Sequence, residues 1–171
     1  HLVENKVIYK LMVKTQMNVA LSDVAKLLND IPGHIYWKDK RGRYLGCNLK
    51  QAHSYGSRNV DRVINKDDFA FYDYQVALNI RNNDLLVMGC GKPLVIEETA
   101  VLNGRKRIFL SHKAPIKNAE GHSIGILGVS LDITHQKELE EQLVKSNRLL
   151  KKLLDRQKIL EAELTFKQLS I

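Results

Sequence analysis

The sequence predicts an α+β domain: a five-stranded antiparallel sheet with helices on one face, flanked by an N-terminal amphipathic helix and a C-terminal coiled-coil helix. Three observations predict it. Hairpin patterns stand at both ends of residues 31–134, a largely helical stretch lies between them, and the flanking stretches 2–30 and 135–169 contain neither Pro nor Gly. The chain therefore divides into 1–30, 31–134 and 135–171.

In the first part, Met17, Leu21, Val24, Leu28 and Ile31 recur at alternating four- and three-residue spacing, one stripe of a helix that Pro32-Gly33 ends. The stripe suits packing on the following domain and pairing with a second copy equally well. Residues 34–38 and 44–47 read as two strands joined by the turn Lys40-Arg41-Gly42-Arg43. Residues 48–90 are helical with loops, Asp73 capping a helix through Met88, and Gly89-Cys90-Gly91-Lys92-Pro93 stops it. Three strands follow, 94–102, 107–116 and 123–133, with turns at Asn103-Gly104 and 118–121. Asn-Gly supplies the left-handed conformations that a tight hairpin needs. In the last strand, Leu127, Val129, Leu131 and Ile133 fall on one face, and Ile124 and Ile126 on the other. The second patch is expected to need a cover, for which the N-terminal helix is the candidate.

After residue 134, Leu139, Leu143, Leu150, Leu153, Leu160 and Leu164 occupy a and d positions of one heptad register, and Ser146, Gln157 and Lys167 interrupt it. So long a helix cannot bury a two-position stripe against a small domain, and parallel pairing in a homodimer is the expected solution.

Composition narrows the function. The net charge of +8 divides as +1, +5 and +2 over residues 1–30, 31–134 and 135–171, without the concentrated basic face of a nucleic-acid binder. Cys47 and Cys90 are far apart and lack CxxC spacing, so reduced thiols in the cytoplasm are expected, and no metal site. No stretch reaches the roughly 18 apolar residues of a membrane span. A membrane anchor of the parent protein would lie outside this chain.

The stretch Ile31-Pro-Gly-His-Ile-Tyr-Trp-Lys-Asp-Lys-Arg-Gly-Arg-Tyr-Leu-Gly-Cys-Asn48 resembles the opening of PAS domains in bacterial sensor histidine kinases. Ile124-Gly-Ile-Leu-Gly-Val-Ser-Leu-Asp-Ile-Thr134 resembles their closing strand with its Asp-Ile-Thr end motif, and the amphipathic helix beyond is similar to their signalling helix. The resemblance implies a sensory module that relays a signal to a downstream kinase domain of the same chain in two-component signal transduction. PAS modules of diguanylate cyclases, and ligand-free dimerisation spacers, share the pattern.

None of the six histidines is followed by the run that marks a phosphoacceptor helix, so the chain is expected to sense rather than catalyse. No cofactor is expected: the flavin-photoadduct motif is missing, and residues 73–92 hold no histidine of the kind haem-binding members use. An unknown small ligand fits the family, with Tyr36, Phe69, Tyr72, Leu86 and Phe109 as pocket candidates that core packing explains equally well. The basic turn 38–43 reads as a solvated hairpin tip. Asp132, Ile133 and Thr134 form the candidate relay junction, Thr134 as N-cap of the last helix with Asp132 beside its positive end. The same bonds also suit plain capping.

Overall fold

A computed structural model of the protein describes residues 27–102 and 104–169. Five strands make one antiparallel sheet: β1 (His34–Asp39), β2 (Tyr44–Cys47), β3 (Leu94–Leu102), β4 (Arg105–Lys117) and β5 (Ser123–Asp132). Their spatial order is β2-β1-β5-β4-β3, so the last strand lies in the centre between the two hairpins. The helical middle comprises α1 (Leu49–Ser54), two short 3-10 turns at Val60–Arg62 and Asp68–Ala70, and α2 (Tyr74–Cys90). These elements cover the inner face of the sheet, and α3 (Thr134–Leu169) leaves its end. The α+β class and the strand order along the chain are those the sequence predicts.

Local chemistry explains the boundaries. Asp73 caps α2 by accepting the Val76 N–H at 3.0 Å, and Gly91, at φ 63°, closes it in the left-handed region. Asn48 caps α1 at the Gln51 N–H and also accepts the Ile35 N–H. Its amide group donates to the carbonyls of Leu28 and Gly33. One side chain thus ties the entry of the domain to β1 and α1. Residues 27–30 are helical, while Met17, Leu21 and Val24 of the expected N-terminal stripe lie outside the described residues.

The two faces of β5 correct the sequence reading. Ile126 is 1 % exposed and belongs to the core under the helices, whereas Leu127 is 43 % exposed on the opposite face. The inner face alternates Gly128 and Ser130 with Ile126, so counting apolar residues points the wrong way. Gly128 is small because the Tyr36 ring lies where a Cβ would stand, 2.3 Å from its nearest atom. The apolar surface left open is therefore that of Leu127, Val129 and Leu131, with Ile124 exposed at the start of the strand.

Candidate sensory site and relay junction

The inner face of the sheet carries charge. Lys38 on β1 and Lys113 on β4 are 1 % exposed, and both reach Asp84 in the middle of α2. Lys38 Nζ lies 2.6 Å from Asp68 and 3.0 Å from Asp84. Lys113 Nζ lies 2.7 Å from both Asp84 and Glu98 of β3. The second oxygen of Asp68 accepts the Tyr44 hydroxyl at 2.8 Å, and that hydroxyl also bonds to Tyr55. Lys38 stands over the rings of Tyr36 and Tyr44, 5.1 and 4.8 Å from their centroids. Two lysines against three carboxylates leave the cluster one negative charge in excess when all are ionised.

Burial works against these charges, and the partners outweigh it. Burial pulls the Lys38 pKa down, but Asp84 and Asp68 hold it above the ordinary lysine value. Lys113 is likewise held up against burial by Asp84 and Glu98. Asp84 is kept below the usual carboxylate range by Lys38 and Lys113 despite its own burial. Burial is the main cause that pushes the Tyr72 hydroxyl up to about 12. It also pushes the Cys47 thiol up to about 11, so Cys47 is an inert core thiol.

Beside the cluster lies a cavity of about 30 Å³, room for about two water molecules. Tyr36, Tyr72 and Phe109 line it with Lys38, Asp68 and Gln51. Gln51 is 2 % exposed, and its side-chain amide has no hydrogen-bond partner among the described residues. An amide that faces a polar cavity can both donate to and accept from a bound molecule. Phe69 and Leu86 stand elsewhere, exposed and outside the lining, Phe69 against the Tyr74 ring. Lys38, which the sequence places in a solvated tip, is the centre of the network; only Lys40, Arg41 and Arg43 of that turn are exposed. A sequence signal exists in the alternation of strand β1, where Lys38 shares a face with Tyr36.

At the far end of β5 the junction differs from the sequence reading in one bond. Helix α3 begins at Thr134 itself, so the Thr134 hydroxyl accepts the Ile108 N–H of β4 at 2.9 Å instead of a first-turn amide. Asp132 does the capping, accepting the Thr134 N–H at 2.9 Å and the Thr134 hydroxyl. Ile133 donates its N–H to the Ile108 carbonyl at 2.9 Å, and its own carbonyl accepts the Lys137 N–H. Burial raises the Asp132 carboxyl, but the two Thr134 bonds and then Arg107 hold it below the usual range. Along α3, Leu139, Leu143, Leu150, Leu153 and Leu160 are 49–62 % exposed; the Leu164 side chain lies outside the described residues. No helix among the described residues is long and apolar enough to cross a membrane.

Residues 28–138 match the family model of the PAS fold. The chain belongs to the PAS family. It is 33 % identical over 120 residues to a diguanylate cyclase of Vibrio cholerae, covering 68 % of this chain and 37 % of that protein. It is 31 % identical over 117 residues to the methanogenesis regulatory histidine kinase FilI of Methanothrix harundinacea, covering 68 % of this chain and 13 % of the kinase. The chain thus spans a minor part of either curated relative. The PAS domain of Bordetella pertussis BvgS is similar in structure, with a TM-score of 0.56 and 28 % identity over 75 % of this chain and 96 % of that domain.

Proposed function

We propose that this PAS module detects a small polar ligand at its inner cavity and relays its presence, through a dimeric coiled coil, to a histidine kinase domain further along the same chain. In this reading residues 1–30 form the entry helix, 31–134 the sensor and 135–171 the signalling helix. The observation that carries it is the continuity of β5. Ser130 lines the cavity, Asp132 and Thr134 join strand to helix just beyond it, and α3 follows with its leucines uncovered. Known ligand pockets hold about 300–1,000 Å³, so a ligand of more than a few heavy atoms would have to move the segment bearing Tyr55, Asp68 and Tyr72. Asp68 would be the first carboxylate to part from Lys38, since it sits on a single 3-10 turn whereas Asp84 sits within α2.

Leu139, Leu143, Leu150, Leu153, Leu160 and Leu164 would form the dimer seam. Similarity to the cyclase supports a second reading with the same sensor and relay but a diguanylate cyclase as output. Native mass spectrometry of the purified chain tests the ligand: a stoichiometric small molecule that dissociates in Gln51→Ala is expected. A chain of bare protein mass that gains nothing from a metabolite extract would leave only a spacer. Phosphotransfer from ATP in the intact parent protein separates kinase from cyclase.

A further inference from the structure

Next to the inner cavity, and sharing His34 and Phe109 with it, lies an open cleft of about 400 Å³. Its walls include Leu102 and Phe109, and its charged groups are Arg105, Arg107 and Asp132, with His34 beside them. Most of the donors here are unspent. Arg105 has no partner among the described residues, and Arg107 has only a single loose ion pair, 3.5 Å from Asp132. The His34 ring makes no hydrogen bond among the described residues; it rests on Phe109, at 5.3 Å between centroids. Asp132 is already engaged by the amide and hydroxyl of Thr134. Two guanidinium groups against one occupied carboxylate leave the cleft a net positive charge, beside apolar walls.

We propose that this cleft is a second ligand site, distinct from the inner cavity, that takes a small carboxylate with an apolar body. A guanidinium presents a planar fork that matches a carboxylate in two parallel hydrogen bonds, and Arg107 has that fork nearly free. Leu102 and Phe109 would receive the apolar body, which a bare inorganic anion lacks. The site adjoins the relay junction directly. A ligand carboxylate that takes Arg107 draws it away from Asp132, leaving Asp132 to Thr134 alone, so occupancy of the cleft would be felt at the first turn of α3.

Titration calorimetry of the whole 171-residue chain with acetate, butyrate and benzoate, in chloride buffer, tests this. Saturable binding that tightens from acetate to benzoate is expected, with inorganic phosphate and benzyl alcohol each at least about tenfold weaker than benzoate. Arg107→Gln should weaken benzoate at least about 10- to 100-fold, because the charged fork and its paired hydrogen bonds to the carboxylate are lost. Arg105→Gln should weaken it less, and Lys106→Gln, on the same strand but outside the cleft, should not. The Thr134 amide resonance should move on benzoate addition and stay in place in Arg107→Gln. Absence of saturation by all three carboxylates below about 10 mM overturns the proposal, as does phosphate binding as tightly as benzoate. Unaltered benzoate binding in Arg107→Gln overturns it too, whatever the inner cavity binds.

Discussion

On the inner face of the sheet, five ionisable side chains gather, four of them buried, and each of the two lysines has two carboxylate partners. Along α3, the five described leucines of the heptad register are about half exposed or more, with no apolar surface of the described residues over them. The first region is complete within one chain; the second is complete only with something added. A buried ionic network gains little net stability, because desolvation offsets attraction, but it is intolerant of losing a member. An exposed apolar stripe is the reverse: it costs little to alter within one molecule and matters at once between molecules. The sheet and its network can therefore be rigid and specific, while the apolar stripe of α3 stays open to whatever would cover it.

The largest effect is expected where that comparison is broken at the helix. Leu150→Asn together with Leu153→Asn should abolish dimerisation, since each buried leucine of a seam contributes about 2–5 kcal/mol. Light scattering should then report the monomer mass, with the near-ultraviolet signal of the sheet core unchanged. A parent chain that is monomeric at high micromolar concentration would instead remove the coiled coil from the proposed function.

Within the network, Asp84→Asn should cost about 3–5 kcal/mol in urea unfolding, because both lysines lose a buried partner. Lys137→Ala, which removes the exposed pair with Glu97 at 2.7 Å, should leave the urea midpoint nearly unchanged, because solvent screens an exposed pair. Equal effects would mean that the network is hydrated.

The pH profile sharpens the same contrast. Asp84 is held low in the folded state, so its contribution is present above the unfolded carboxylate value of about 3.9 and is lost as pH falls through the folded value. Lys38 and Lys113 are held high, so theirs is complete below about 10.4 and is lost as pH rises through their folded values. Burial holds His34 below its ordinary value, which adds a shallow loss as pH falls below about 6.5. Thermal midpoints should therefore be level from about pH 7 to 9 and fall on both sides.

Both regions show what a sequence reveals and what it conceals. Turn chemistry at Lys40-Arg41-Gly42-Arg43, Asn103-Gly104 and 118–121 makes the hairpins legible, because Gly and Asn act locally. The cap at Asp73 is legible for the same reason. The network is not: Lys38, Asp68, Asp84, Glu98 and Lys113 are single charges far apart along the chain, and only tertiary register gathers them. The rule that apolar residues lie inside then misassigns Leu127 and Ile126, since a charged core has displaced part of the apolar surface to the outer face. Tyr36, Tyr72 and Phe109 are reachable as inward positions of strands or of the covering segment, whereas Phe69 and Leu86 have only bulk to recommend them.

The smallest expected effect lies at the junction, where the two regions meet. Asp132 and Thr134 are linked to each other, to α3 and, through Ile108, to β4, but the site is open to water and no member is deeply buried. Capping bonds contribute about 0.5–2 kcal/mol each, so Asp132→Ala and Thr134→Ala should lower stability by that much and leave the sheet core folded. Two arrangements that differ by a few kcal/mol are nevertheless redistributed by a change of this size. Both variants should therefore alter stimulus-dependent output in the intact parent, while Glu140→Ala, exposed and outside the seam, should not. The two should also differ from each other. Thr134→Ala breaks the side-chain tie to β4, leaving only the backbone bond of Ile133 to Ile108, and should loosen helix from sheet; Asp132→Ala removes the cap and the Arg107 ion pair and should mainly fray the first turn. Output that responds normally in both variants would reduce the motif to a helix cap, and unfolding of the domain in either would make its role structural.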